Sequence, residues 1–222
     1  MSSNLLIPGQ YYPYERINGY GTAPELETVP YMVRDYLMDL PHKGYTPQDD
    51  NRLFRCQLMK YLYYDEADPL DKPLPTPEQK RSLVFDPWNP DVPPTSKGYR
   101  IFTQSLITQA QTTGQTIMRI FMGRVLPVGA YRFETSINFH FLSNTTLEGN
   151  TETMELSRTF KLAMLTIRAL NGVNLGAGVG TVYFDRTRNA ECDIYPINDE
   201  STNVGYRMTL GLTCIGTDDN DQ

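Results

Sequence analysis

The stretch Tyr131-Arg132-Phe133-Glu134-Thr135-Ser136-Ile137-Asn138-Phe139-His140-Phe141 decides the fold class. Tyr131, Phe133, Thr135, Ile137, Phe139 and Phe141 take every second position, with charged or polar residues between them. Successive side chains of a strand point to opposite faces, so this alternation predicts one long strand with a buried face and a wet face. A helix would scatter the same apolar residues around its circumference.

Just upstream, Met118, Ile120 and Met122 alternate through a second strand that ends at Pro127, and Pro127-Val128-Gly129 supplies a turn into the long strand. The two should form a hairpin. Further back, Tyr99 to Gln109 is strand-like, and Thr112-Thr113-Gly114 offers a turn back, although the Gln- and Thr-rich run specifies register weakly.

Downstream the period changes. Leu156, Phe160, Ala163, Ile167 and Leu170 form an apolar stripe at helical spacing, with Glu148, Glu152 and Glu155 near its start and Arg168 near its end to suit the helix dipole. Asn171-Gly172 stops the helix. Val182 and Phe184, the turn Thr187-Arg188-Asn189, then Cys192 and Ile194 read as a second hairpin over residues 180–197. In the last strand Tyr206, Met208, Leu210, Leu212 and Cys214 face one way, and Arg207, Thr209, Gly211 and Thr213 the other.

The first hundred residues follow a different pattern. They hold 14 of the 16 prolines and 11 of the 15 tyrosines. Each proline removes a backbone donor and biases its predecessor toward extended geometry, so long helices and central strands are disfavoured there. Three short helices are still predicted. Pro30 opens Tyr31 to Leu40, which Pro41 closes; Phe54, Leu58, Tyr61 and Leu62 mark a helix from about Asn51 to Tyr64; and Thr76-Pro77-Glu78-Gln79 is a capping box opening residues 77–84.

The expectation is therefore an α+β protein: a mostly antiparallel sheet with one long amphipathic helix packed on it, preceded by a Pro- and Tyr-rich meander with short helices. Residues 1–98 are expected as an extended arm, 99–216 as the core domain, and 217–222 as an acidic flexible tail.

Composition narrows function. The net charge is −6, with 11 basic and 14 acidic side chains in the first hundred residues and 9 and 12 in the remainder, so no basic stripe for gripping nucleic acid is visible. An acidic wall that DNA slides past stays compatible with this charge. No apolar run approaches the length of about 18 residues that spans a bilayer, and Met1 to Gln10 lacks the features of a secretory signal; cytosolic synthesis is expected. The cysteines Cys56, Cys192 and Cys214 are odd in number and far apart, which argues against a disulfide framework, and Cys214 falls in the core alternation.

Candidate chemistry is sparse. His140 lies on the polar face of its strand beside Asn138 and Ser136, where it can serve as a ligand or base, yet no Cys, Asp or Glu cluster stands at metal-ligand spacing; a solvated strand histidine is expected. His42 reads as loop. The glycine run from Gly172 to Gly180 follows a helix and precedes a strand, the reverse of a dinucleotide-binding loop, and reads as a helix stop with a tight connection. Asp49-Asp50, Asp65-Glu66-Asp68 and Asp199-Glu200 do not comply with a calcium-loop spacing and read as solvated charge. No catalytic residue, metal ligand or cofactor site is assigned. The clusters Tyr11-Tyr12-Pro13-Tyr14 and Tyr61-Leu62-Tyr63-Tyr64 read as aromatic anchors, apolar ring inward and hydroxyl wet; base stacking is the alternative, disfavoured because the flanking charge is not basic.

On the strands Ile117 to Val125 and Tyr131 to Leu142, the helix around Leu156 to Leu170, and the segment Gly180 to Ile215, the chain resembles tail terminator and tail-completion proteins of tailed bacteriophages. The long first half departs from their compact form. The resemblance implies a non-enzymatic virion protein, assembled in the host cytoplasm and built as a hexameric ring at the phage neck or tail end. Its partners would be copies of itself and other neck or tail proteins, with no sequence-specific nucleic acid and no membrane. Leu5 to Tyr20 and Pro69 to Pro94 would then be the contact segments, with Tyr11, Tyr12, Tyr14, Tyr20 and Trp88 as interaction residues. Other virion stations (head-tail adaptor, baseplate, capsid decoration) and a small-ligand or enzymatic module are the alternatives.

Overall fold

A computed structural model of the chain describes residues 26–40, 51–66, 68–85, 98–103, 116–128, 132–145, 148, 157–175, 179–199 and 203–215. In chain order these hold a short 3-10 turn (Leu26–Thr28), α1 (Val29–Leu37), α2 (Arg52–Tyr63), α3 (Pro77–Ser82), β1 (Ile101–Phe102), β2 (Thr116–Pro127), β3 (Arg132–Asn144), α4 (Arg158–Leu170), β4 (Val182–Tyr183), β5 (Asp193–Asp199) and β6 (Asn203–Ile215). The fold is α+β. The strands form one six-stranded sheet in the order β1-β2-β3-β6-β4, with β5 also paired to β6.

The long alternating stretch becomes β3, at the centre of the sheet. It pairs antiparallel with β2, Met118 opposite Phe141, and with β6 along its whole length, from Arg132 opposite Ile215 to Asn144 opposite Asn203. The β2–β3 hairpin and the facing of β6 match the alternation in the sequence. Between Met122 and Val125 the register shifts by a β-bulge, which the simple alternation does not reveal. Ser136 and Thr135 of β3 satisfy the bulged backbone: the Arg124 amide donates to Ser136 Oγ at 3.0 Å, and Thr135 Oγ1 donates to the Arg124 carbonyl at 2.9 Å.

Four expectations require correction. β1 pairs with β2 in parallel, Ile101 opposite Met118, so the segment from Tyr99 does not turn back as a hairpin arm. Residues 180–197 form no hairpin of their own. β4 and β5 both run antiparallel to β6, Val182 opposite Leu212 and Asp193 opposite Thr209, as one edge strand interrupted by the excursion of residues 184–192. The predicted turn at Thr187-Arg188-Asn189 exists, held by Asp185, whose carboxylate accepts from the Thr187 amide at 2.8 Å, but it closes that excursion. The helix α4 has 13 residues and starts after the cap Ser157, whose Oγ accepts from the Phe160 amide at 3.2 Å. Glu148 does serve its N-terminus, accepting from the Thr159 amide at 3.3 Å and from the Thr159 hydroxyl. Lastly, the polar face of β3 is not uniformly wet, since Ser136 is 0% and Asn138 5% exposed.

Three of the described helices, α1, α2 and α4, serve one core. Ile120, Phe139, Met208 and Leu210 of the sheet share a continuous buried cluster with Val33 and Leu37 of α1, Leu58 and Leu62 of α2, and Leu162 and Ala169 of α4. Because α4 packs against both the sheet and α2, its buried face widens beyond the predicted stripe: Leu162, Leu165 and Ala169 are buried, whereas Phe160 and Ile167 are only half-buried. Gly172, at a φ of 85°, ends the chain's run as a helix in a conformation that suits glycine. Cys214 lies in this core at 0% exposure, and burial pushes its thiol pKa up to about 11.

The described part of the first half is thus integral to the domain and not an arm. The helix starts read from proline and threonine are present: Pro30 lies in the first turn of α1, and Thr76 and Gln79 exchange both capping-box hydrogen bonds at α3. Buried cations fasten these helices. Lys80 Nζ donates to the Met38 carbonyl at the end of α1 at 2.8 Å, and Arg55, 0% exposed, pairs with Asp39 at 3.0 Å and lies over the Tyr36 ring. Burial alone would raise the Asp39 carboxyl, but the Arg55 hydrogen bond and the charges of Arg55, Lys80 and Arg52 outweigh it and hold the group below its usual range. At the other end of α2, Arg158 of α4 donates to the carbonyls of Tyr61, Tyr64 and Glu66, while Arg100 donates to the Leu62 carbonyl at 2.9 Å and grips Asp65 with both terminal nitrogens. The Tyr61 and Leu62 carbonyls are orphan acceptors of the last turn of α2, and two guanidinium groups satisfy them together with the carbonyls of the chain that follows.

Candidate functional site: the helix-free face of the sheet

Among the described residues the helices pack on one face of the sheet, which leaves the other to be built by strand side chains and loops. Register sorts those side chains into rows that run across the strands. One row is apolar, Ile117, Leu142 and Ile197, and with Tyr99, Phe102 and Phe85 it makes a second small hydrophobic cluster. The next row reads Phe102, Arg119, His140, Arg207 and Tyr195 across β1, β2, β3, β6 and β5. Beside it stand Phe121, Asn138, Thr209 and Asp193, followed by Ser136, Gly211 and Tyr183.

Directional bonds hold this face together. Asn138 Oδ1 accepts from Thr209 Oγ1 at 2.9 Å and from Arg207 Nη2 at 3.2 Å. The Arg207 guanidinium lies 5.4 Å from the Tyr195 ring centroid, and Phe121 meets the His140 ring edge-on at 4.9 Å. The excursion between β4 and β5 folds over the far end: Ser136 Oγ donates to Glu191 Oε2 at 2.7 Å, and Asn189 Nδ2 donates to the Thr135 carbonyl at 3.3 Å. Glycines make the room. A Cβ on Gly123 would stand 2.2 Å from Ser136 Oγ, and one on Gly211 would stand 2.2 Å from the Tyr183 ring.

At the end of the β2–β3 hairpin three apolar side chains point into solvent: Val125 is 40%, Leu126 37% and Val128 48% exposed. The bulge reverses the facing of β2 beyond Met122, so that Val125 pairs with Thr135 on the helix-covered side and Leu126 with Glu134 on the other.

The residues singled out from the sequence fall into three groups. Tyr11, Tyr12, Tyr14, Tyr20 and Trp88 lie outside the described residues, as do His42, Asp49 and Asp50 and the tail from Thr217. The second tyrosine cluster is anchored inside the domain, Tyr61 3% exposed with its hydroxyl on Asp68 at 3.3 Å and Tyr64 donating to the Pro73 carbonyl at 3.0 Å. The carboxylates beside it are structural and not merely solvated: Asp65 holds Arg100 and Glu66 pairs with Lys72 at 2.8 Å. His140 is brought into the row described above, half-buried, between Arg119 and Arg207. Sequence reasoning gave no role to either arginine beyond the polar facing of Arg207, because the register that joins them to His140 is nonlocal. Among the described residues no group of three His, Cys, Asp or Glu side chains is arranged to hold a metal ion, and no helix is long and apolar enough to cross a membrane. Comparison with protein-family models, curated proteins and solved structures finds no match.

Proposed function

We propose that this chain is a structural assembly protein that works by fitting copies and neighbours together, in the setting its architecture suggests: a ring at the neck or tail end of a bacteriophage particle. The observation that carries the reading is the apolar end of the β2–β3 hairpin, where Val125, Leu126 and Val128 are all exposed, Val125 and Leu126 on opposite faces of the sheet. Water-exposed aliphatic side chains clustered within four positions favour burial against another protein surface. The α+β architecture, with helices on one sheet face, supports the same setting.

Of the contact segment expected over Pro69 to Pro94, the described part up to Phe85 is tied to the domain at its far end and presents Leu70 and Leu74 to solvent. Leu83 is buried there and Lys80 is tied to α1. The hairpin end and the helix-free face join this segment as contact surfaces.

Oligomeric mass together with negative-stain images of the purified full chain tests the proposal. Six-fold rings are expected; twelve-fold rings or trimers would move the protein to an adaptor or decoration station, and a solitary chain at every concentration would end the assembly reading. Val125→Asp with Leu126→Asp should abolish the oligomer and leave the melting temperature of the monomer unchanged.

A further inference from the structure

Two clusters of exposed apolar side chains stand toward opposite ends of the long strands. The first is the hairpin end, where Arg124 is exposed beside Val125, Leu126 and Val128. The second is the loop from α2 to α3, where Leu70 is 36% and Leu74 38% exposed. Val125 lies opposite Thr135 of β3, whereas the loop is tied to the last turn of α2, which Arg158 at the start of α4 fastens through the Tyr61 and Tyr64 carbonyls. In the same turn of α4, Phe160 meets the Tyr206 ring at 5.1 Å, and Tyr206 is opposite Phe141. Thr135 and Phe141 are about 20 Å apart along β3, so the two clusters do not meet within one copy.

The loop is braced around its leucines. The Leu70 amide donates to Asp68 Oδ1 at 3.2 Å, the Leu70 carbonyl accepts from Lys60 Nζ at 2.6 Å, and the Pro73 carbonyl accepts from the Tyr64 hydroxyl at 3.0 Å. The capping box at Thr76 then fixes the start of α3. Apolar side chains held on an ordered backbone lose little freedom when a partner covers them.

Charge distinguishes the two clusters. Asp65 is held by Arg100 and Glu66 by Lys72, but Asp71, exposed beside Leu70, forms no ion pair among the described residues. Arg124 at the hairpin end likewise has none. An unpaired cation accompanies one apolar cluster and an unpaired anion the other. Two hairpin ends brought together would set arginine near arginine, whereas a hairpin end on a loop sets arginine near aspartate.

We infer that the hairpin end of one copy docks on the Leu70–Leu74 loop of the next. This pairing rests on the assembly reading and names the surface that the hairpin end meets. Such a contact joins different patches on the two copies, and repeating it head to tail closes a ring.

Sedimentation of two variants of the full chain, separately and mixed, tests the pairing. Val125→Asp with Leu126→Asp removes the hairpin patch and keeps the loop; Leu70→Asp with Leu74→Asp does the reverse. Each should be monomeric alone, and an equimolar mixture should form a one-to-one dimer that grows no further, because each pair retains one intact contact. Thermal melting checks that both fold. Should either fail, Arg124→Asp and Asp71→Arg replace them: each alone should weaken association by about tenfold or more, and the chain carrying both should recover it. A mixture that stays monomeric or grows beyond a dimer, a folded loop variant that assembles like wild type, or charge reversals that do not rescue one another would overturn the pairing while wild-type assembly still stands. A wild-type chain that is solitary at every concentration would end both readings.

Discussion

On the helix-covered face of the sheet, Ile120, Phe139, Met208 and Leu210 are each 0% exposed and belong to one apolar cluster with the helices. One position along the same strands, the other face presents Phe121, Asn138, Arg207 and Gly211, joined by hydrogen bonds, ring contacts and a loop that reaches Ser136. The two faces share a backbone and differ in the kind of force that orders them. Burial of apolar surface is non-directional and scales with area, so the covered face is ordered by filling space closely and excluding water. The other face depends on donors and acceptors meeting at particular distances, which demands small residues in particular places. The first face is suited to stability and the second to recognition.

This contrast is open to attack by substitution. The largest effect should come from the covered face: Phe139→Ala leaves a cavity beside Phe141, which stacks on it at 6.0 Å, and should cost about 3–5 kcal/mol in urea unfolding. A loss well under 1 kcal/mol would mean that the sheet does not depend on its apolar face.

A smaller penalty is expected opposite it. Gly123→Ala should destabilise by about 1–3 kcal/mol, because the new methyl must displace Ser136 and Asn138. Combined with Ser136→Ala the penalty should be less than additive, since both changes act on one contact; strict additivity in the double-mutant cycle would show that the close approach is not what requires glycine.

The smallest effect concerns pH. Burial raises the Glu148 carboxyl above its usual range, an effect only partly offset by hydrogen bonds from Thr159 and Ser157 and by the charge of Arg158. The folded chain therefore holds this proton more tightly than the unfolded one. The corresponding stability is full below the ordinary carboxylate value of 4.5 and is lost as pH rises through the raised value. Glu148→Gln should remove that decline, so that the stability difference between variant and wild type moves in the variant's favour from pH 4 to pH 7. Parallel urea midpoints at the two pH values check it, and a difference independent of pH would refute it.

Much of the fold was legible in the residues because its signals are local. The alternation from Tyr131 to Phe141, the facing of β6, the capping box at Thr76 and the stop at Asn171-Gly172 each depend on neighbours within a turn or a strand. The failures have a common cause. The parallel pairing of β1, the joint docking of β4 and β5 on β6, and the capture of α1 and α2 by the core are choices among distant partners, and local pattern leaves them open. The candidate site was half visible: His140 could be singled out on its strand, but its arginine neighbours come from strands that are remote in sequence.

The sequence by itself determined which segments are strands and helices, which side of each is apolar, and that nothing in its composition favours gripping nucleic acid, because periodicity and charge are properties of residues and their near neighbours. Only the tertiary structure decided that the described helices of the proline-rich half belong to the domain and that two arginines flank a histidine. Both follow from strand register and from buried cations meeting the carbonyls of helix ends, contacts whose energy appears only when chain segments far apart in sequence are brought together and water is removed from between them.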